Sequence, residues 1–193
     1  MKKPILEELI GASGADDLKA CAGASLGECS RLLDRILAPA SRRTRDNTLV
    51  PYNDLLMKTG QLSNSVSCLR SVHPSPEIRS AAEECEKEIA RFTTALGLNG
   101  DLYNAVRACD PGELDAKGKR LVDFILRDFH RAGVDRDEAT REKVRAIRED
   151  LVATGQDFFR NIVNDVRAIE LEGPDELAGL PEDYIRDRLS TSD

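Results

Sequence analysis

Residues 75–97, SPEIRSAAEECEKEIARFTTALG, decide the fold. The Ser75 hydroxyl can accept from a free N–H of a first helical turn, and Pro76 stands where a missing N–H costs nothing, so the pair reads as N-cap and first helical residue. From there Ile78, Ala82, Cys85, Ile89, Phe92 and Leu96 recur at steps of three and four, the period of one apolar helix face. Just upstream, two prolines one residue apart in HPSP (73–76) cannot continue a helix, so the preceding element must stop there.

The same period spreads outward in both directions. Upstream, Tyr52, Leu55, Leu56, Thr59, Leu62, Val66 and Leu69 mark one helix, and an amphipathic segment over Leu26–Leu37 stops near Pro39. The polar connector SRRTRDNT (41–48) separates the two. Downstream, a short helix beginning at Asp101 ends at Pro111–Gly112, and another runs from about Leu114 through Val122, Ile125, Leu126 and Phe129 to Gly133. Asp135 and Glu138 have capping-box spacing and open the longest element, near 136–167, striped with Val144, Ile147, Leu151, Phe158, Ile162 and Val166. Its Asp137/Arg141 and Arg145/Glu149 pairs sit one turn apart on what reads as a solvated face. Turns at Gly173–Pro174 and Gly179–Pro181 precede a last amphipathic stretch ending near Leu189.

No segment alternates apolar and polar residues with β-branched enrichment, and no repeat appears at solenoid periods. The expectation is all-α: an antiparallel bundle of about six or seven helices joined by short connections. In domain terms, residues 1–45 read as an N-terminal helical segment, 46–189 as the helical domain and 190–193 as a frayed tail.

Composition narrows the function. With 40% hydrophobic, 33% charged and 4% aromatic residues and no tryptophan, the chain reads as globular with an aliphatic core. A net charge of −7 opposes nucleic-acid binding, which needs a basic face to displace counterions. Arg42, Arg43 and Arg45 are the one local basic cluster, either a grip for an anionic partner or a solvated connector. MKKPILEELIG (1–11) starts like an export signal, but Glu7 and Glu8 interrupt its apolar run. No stretch approaches the roughly 18 apolar residues of a membrane span. The chain therefore reads as soluble and cytoplasmic, with neither nucleic acid nor membrane among its expected partners.

Chemistry is sparse. The five cysteines, Cys21, Cys29, Cys68, Cys85 and Cys109, are an odd set without a C-x-x-C pair, so they fit neither a disulfide framework nor a zinc knuckle. A zincin needs two histidines one helical turn apart with a glutamate beside them. The only two histidines, His73 and His130, lie far apart and outside any such motif. His73 sits in the HPSP turn, and His130 at a helix end where an imidazolium suits the dipole. Gly11, Gly14, Gly23 and Gly27 match no phosphate-cradling loop. Glu83/Glu84, like the other carboxylates, reads as part of an exposed face rather than an acid/base pair.

From Asn47 to about Leu189 the residues resemble the N-terminal region of the thimet oligopeptidase family of zinc peptidases. The resemblance is carried, in order, by NTLVPYNDLL (47–56), VHPSPEIRSAAEECEKEIARF (72–92), GDLYNAV (100–106) and KRLVDFILRDFHRAGVD (119–135). REKVRAIREDLVATGQDFFRNIVND (141–165) and ELAGLPEDYI (176–185) continue it, while residues 1–45 carry little. It implies a helical peptidase with a deep channel, in which this region forms one wall and restricts substrates to short, unstructured peptides. The family's H-E-x-x-H and distal glutamate lie C-terminal of Asp193. So zinc is expected only in that missing catalytic region, and no catalytic, cofactor-binding or metal-ligating residue carries over to any position here. Expected partners are that region and short peptides, with self-association through any apolar face left uncovered. The alternative is a stand-alone helical interaction or regulatory protein built on the same scaffold.

Overall fold

The computed structural model describes residues 5–165, 167–169 and 171–189. The tail expected to fray at 190–193 lies outside the described residues, as do residues 1–4 and Val166. All regular elements among the described residues are helical, apart from one isolated bridge between Arg43 and Cys109. The described residues form eight α-helices, where six or seven were expected: α1 (Ile5–Ile10), α2 (Ala15–Leu37), α3 (Val50–Val72), α4 (Pro76–Gly97), α5 (Gly100–Arg107), α6 (Ala116–Ala132), α7 (Glu138–Asn164) and α8 (Glu182–Leu189). The extra one is α1, too short to display a period. The chain divides into two compact units, Met1–Gln156 and Asp157–Asp193.

In the first unit, α4 starts as its sequence dictates. Ser75 Oγ accepts from the Ile78 N–H at 3.3 Å, Pro76 follows, and Ile78, Ala82, Cys85, Ile89 and Leu96 are buried. α3, α4 and α2 pack on one another, with α1 against α2 and α3. Two apolar clusters form along them. One joins Leu9, Leu18, Leu62, Val66, Ile78 and Ile89; the other joins Cys29, Ile36 and Leu55 to Leu102 and Val106 of α5 and to Val122, Ile125 and Phe129 of α6.

Helix ends follow local chemistry. Asn99 caps α5 through the Leu102 N–H at 2.8 Å, and Asp115 caps α6 through the Gly118 N–H at 2.7 Å. Gly133 closes α6 in the left-handed region at φ 96°, a backbone state that other residues adopt only with strain. The polar connector SRRTRDNT is partly helical. Thr44 and Asn47 form a reciprocal capping box at 3.2 and 2.8 Å, and Arg45–Leu49 makes a π-helical turn leading into α3. α2 likewise begins eleven residues before the expected Leu26, at Ala15. Leu18, Ala22 and Ser25 extend its buried face, but small side chains such as Ala22 and Ser25 give a weak apolar signal. Leu56, expected on the α3 stripe, is exposed.

In the second unit, α8 packs on the 3₁₀ turn Pro174–Leu177, with Gly179 at φ 96° between them. Phe158, Ile162, Val163, Ile169 and Leu171 are all exposed.

Candidate functional site

The long helix is present and, at 27 residues, the longest, but it is turned otherwise than its apolar period predicts. A stripe of Val144, Ile147 and Leu151 should face the bundle. Instead Ile147 is 58% and Leu151 65% exposed, and the residue of α7 that is buried is Gln156, at 4%. At about 100° per residue, Gln156, Val152, Glu149 and Arg145 lie roughly a third of a turn away from that stripe. This polar side is the one held by α4. Gln156 Nε2 donates to the Glu83 carbonyl at 2.9 Å and to Glu86 Oε2 at 3.2 Å, and Arg91 Nε donates to Glu149 Oε1 at 3.1 Å. The hydrogen-bonding demand of α4 thus sets the rotation of α7, and the apolar stripe is left on the outside. Glu86 is itself held by Arg70 Nε at 2.9 Å.

The start of α7 also differs in its partners. Asp137 caps it, accepting from the Thr140 N–H and hydroxyl at 2.8 Å each. Asp135, expected in that role with Glu138, pairs with His130 Nδ1 at 3.3 Å because the Gly133 turn carries it back toward the end of α6. The expected Asp137/Arg141 and Arg145/Glu149 pairs give way to a ladder in which Glu138 holds Arg141 and Arg145, and Glu142 also takes Arg145 at 2.7 Å. Bonding to Arg145, then the Arg141 charge, holds the Glu138 carboxyl below its ordinary value.

Two clefts flank this seam. One, of about 430 Å³, lies between α4 and α7 and is lined by Ala90, Arg91, Thr94, Arg145, Glu149 and Val152 among others. The other, of about 490 Å³, opens between α3, α4 and α7, lined by Ser63, Asn64, Ser67 and Thr93 above the Arg70–Glu86–Gln156 group. Both carry polar groups on apolar floors. Neither brings a nucleophile to a base.

The remaining residues read from the sequence have local duties. His73 ends α3, its Nδ1 accepting from the Ser75 N–H at 3.1 Å, while Arg79 bonds its carbonyl at 2.7 Å. His130 meets Tyr103 Oη at 3.2 Å and Asp135 at 3.3 Å. Of the basic cluster, Arg42 bridges Asp110 and Glu113 at 2.9 Å each, Arg43 donates to the Ile36 carbonyl, and Arg45 pairs with its neighbour Asp46. Arg42 thereby fastens the α2–α3 connector to the loop after α5, and Arg43 fastens it to the end of α2. The Asp110 carboxyl is held below its ordinary value by the Gly112 N–H first and Arg42 second. Glu84 pairs with Lys19 at 2.5 Å, and the Glu83 carbonyl serves Gln156. All five cysteines are free; burial raises the Cys85 thiol to about 11. Among the described residues no three His, Cys, Asp or Glu side chains converge as a metal would require. No described helix is long and apolar enough to cross a membrane. The contacts that Gln156 and Glu149 make with α4 were not read from the sequence, and Gln156 carried no signal beyond lying off the apolar stripe.

The pattern of the neurolysin/thimet oligopeptidase N-terminal domain matches residues 32–141. Oligopeptidase A of Escherichia coli K12 is 28% identical over 167 residues, covering 83% of this chain and 25% of that protein. The thimet-like oligopeptidase of Dictyostelium discoideum is 24% identical over 161 residues, covering 80% and 24%. The probable cytosolic oligopeptidase A of Arabidopsis thaliana is 25% identical over 137 residues, covering 68% and 20%. The chain spans about a quarter of the length of the curated relatives it matches.

Proposed function

Since this chain belongs to the neurolysin/thimet oligopeptidase family and matches its N-terminal domain, we propose that it is the non-catalytic helical region of a zinc oligopeptidase, forming one wall of the peptide channel. The observation that carries the reading is the outward apolar face of Ile147 and Leu151, on a helix that turns its polar side to its own bundle. A face of that kind is a surface awaiting cover. The cover is the remainder of the peptidase, in which the two histidines of H-E-x-x-H would hold a zinc ion and its glutamate would activate a water. This chain contributes shape, admitting short, unstructured peptides and excluding folded proteins. The parent works in the cytoplasm, a placement supported by the cytosolic name of the plant relative.

The test is hydrolysis of a quenched fluorescent short peptide with added zinc, using the chain, the separately expressed remainder of a matching oligopeptidase, and both. Cleavage only when both are present is the expected result. Absence of both activity and association would instead favour the stand-alone interaction protein, and chelator-sensitive cleavage by this chain alone would overturn the assignment.

A further inference from the structure

Tyr103 and His130 stand 27 residues apart in the sequence and side by side in the first unit. Tyr103 projects from the middle of α5 and His130 from the last turn of α6. Tyr103 Oη lies 3.2 Å from His130 Nε2, while the other ring nitrogen, Nδ1, lies 3.3 Å from Asp135 Oδ2. Bonding to His130, before any other cause, holds the Asp135 carboxyl below its ordinary value, and an ionised carboxylate only accepts. Nδ1 therefore carries the hydrogen, and the neutral imidazole turns the lone pair of Nε2 to the Tyr103 hydroxyl. Buried Phe129 braces the Tyr103 ring, with centroids 5.9 Å apart, and the imidazole meets that ring edge to face at 5.3 Å. The Arg107 guanidinium sits 5.6 Å from the same ring centre and has no ion-pair partner among the described residues.

Any donor and acceptor would tie α5 to α6. A carboxylate, an imidazole held in one tautomer and a hydroxyl in series do more, because that is the order of groups by which a hydroxyl gives up its proton as it attacks. The series is also open to reagents, with Tyr103 half-buried and His130 and Asp135 exposed. We propose that Tyr103 is a nucleophilic modification site for small activated acyl esters, with His130 as its base and Asp135 as the residue that positions the imidazole. The phenol oxygen bonds to the ester carbonyl carbon, and the bond from that carbon to the leaving oxygen breaks, its electron pair going with the leaving group. The phenol proton passes to His130 Nε2 and then to water. Arg107 adds positive charge beside the ring on which negative charge gathers. Neither cleft described above includes Tyr103, so the acyl donor is met at the surface and is not chosen by shape. This inference does not rest on the channel-wall reading.

The test treats the full chain with p-nitrophenyl acetate at neutral pH and follows each tyrosine by peptide mass spectrometry, with hydroxylamine used to tell a phenyl ester from an acetylated lysine. Tyr103 should acylate about tenfold or more faster than exposed Tyr184, while Tyr52, whose phenol burial pushes up to about 12, stays unmodified. In the chain unfolded by urea the lead of Tyr103 should vanish. His130→Gln can still bond the hydroxyl but cannot take its proton, so the Tyr103 rate should fall by about tenfold or more with helical circular dichroism retained. In the parent that rate should level off once the imidazole is neutral, whereas in His130→Gln it should climb with hydroxide concentration. Asp135→Asn, which can bond either tautomer, should lower the rate, and Asp135→Glu, which keeps the carboxylate, should restore it. Equal acylation of Tyr103 and Tyr184 in the folded parent, a Tyr103 lead that survives urea, an unchanged rate in His130→Gln, or a parent rate that climbs with pH as the variant's does would each overturn the proposal.

Discussion

Gln156 offers the sharpest check on how α7 is seated. Its amide nitrogen faces two acceptors, the Glu83 carbonyl at 2.9 Å and Glu86 Oε2 at 3.2 Å, while its own oxygen is buried without a partner. Substitution by glutamate keeps the shape and sets a carboxylate oxygen against both acceptors in a site only 4% exposed. Burying an unpaired charge beside a like charge costs about 3 kcal/mol or more, and an N–H bond to a charged group forfeits about 1.5–3 kcal/mol. Gln156→Ala loses the same bonds without the repulsion, about 1–2 kcal/mol. Gln156→Leu removes the bonds and the unpartnered oxygen together. The Glu83 carbonyl lies inside α4 and Glu86 still has Arg70, so the leucine variant should be close to neutral. The opening of α7 is the quantity affected, and amide hydrogen exchange across 138–156 reads it directly. Protection should fall in the order Leu, Ala, Glu at neutral pH. A carboxyl at 156 titrates above its unfolded value of about 4.3, so its penalty is complete above the folded value and vanishes as pH falls below the unfolded one. A glutamate variant with native protection at neutral pH would refute the seating of α7 by this side. A leucine variant as exposed as the glutamate one would refute the electrostatic account.

Replacing both Ile147 and Leu151 by alanine should leave the melting temperature within a few degrees. It should weaken complementation by the remainder of the peptidase by about 2–3 kcal/mol, or roughly thirty- to a hundred-and-fiftyfold, because each side chain, already more than half exposed, stands to gain about 1–2 kcal/mol when covered; unaltered complementation would remove this face from the interface. Alkylation followed by mass spectrometry should label exposed Cys68 first, while Cys85, buried and with its thiol at about 11, stays unlabelled until denaturant is added. The Asp110 carboxyl titrates below its ordinary 3.8, so its contribution is full above that value and is lost as pH falls through the lower folded one. Asp110→Asn should therefore flatten the acid limb of the stability–pH curve. Gly133→Val, which forces φ 96° on a β-branched residue, should cost about 1–3 kcal/mol in thermal unfolding.

What the sequence revealed and what it hid divide along physical lines. Ser75–Pro76 and the stripe from Ile78 to Leu96 were legible because cap chemistry and period agree at that place. The same holds for α6, where Gly133 stops the helix and Val122, Ile125 and Phe129 face inward. α2 hid its first half because alanine, serine and glycine blur the contrast on which periodicity depends. The seating of α7 was hidden for a deeper reason: an apolar stripe says which face seeks cover, not whether the cover is within the same unit. Arg42 was ambiguous because its partners, Asp110 and Glu113, are nearly seventy residues away in sequence. The turn from Asp135 to Asp137 moved a cap by two residues, a shift set by the geometry of Gly133 rather than by capping preference.

The order in which the helices meet has a consequence for the time at which this region takes shape. α3 packs on α4 and α2 on α3, each pair consecutive along the chain, and both apolar clusters are complete by Val134. Folding speed rises as contacts become local, and chains emerge from the ribosome at about 5–20 residues per second. The helices from α1 to α6 can therefore close during synthesis, while the second unit is still being made.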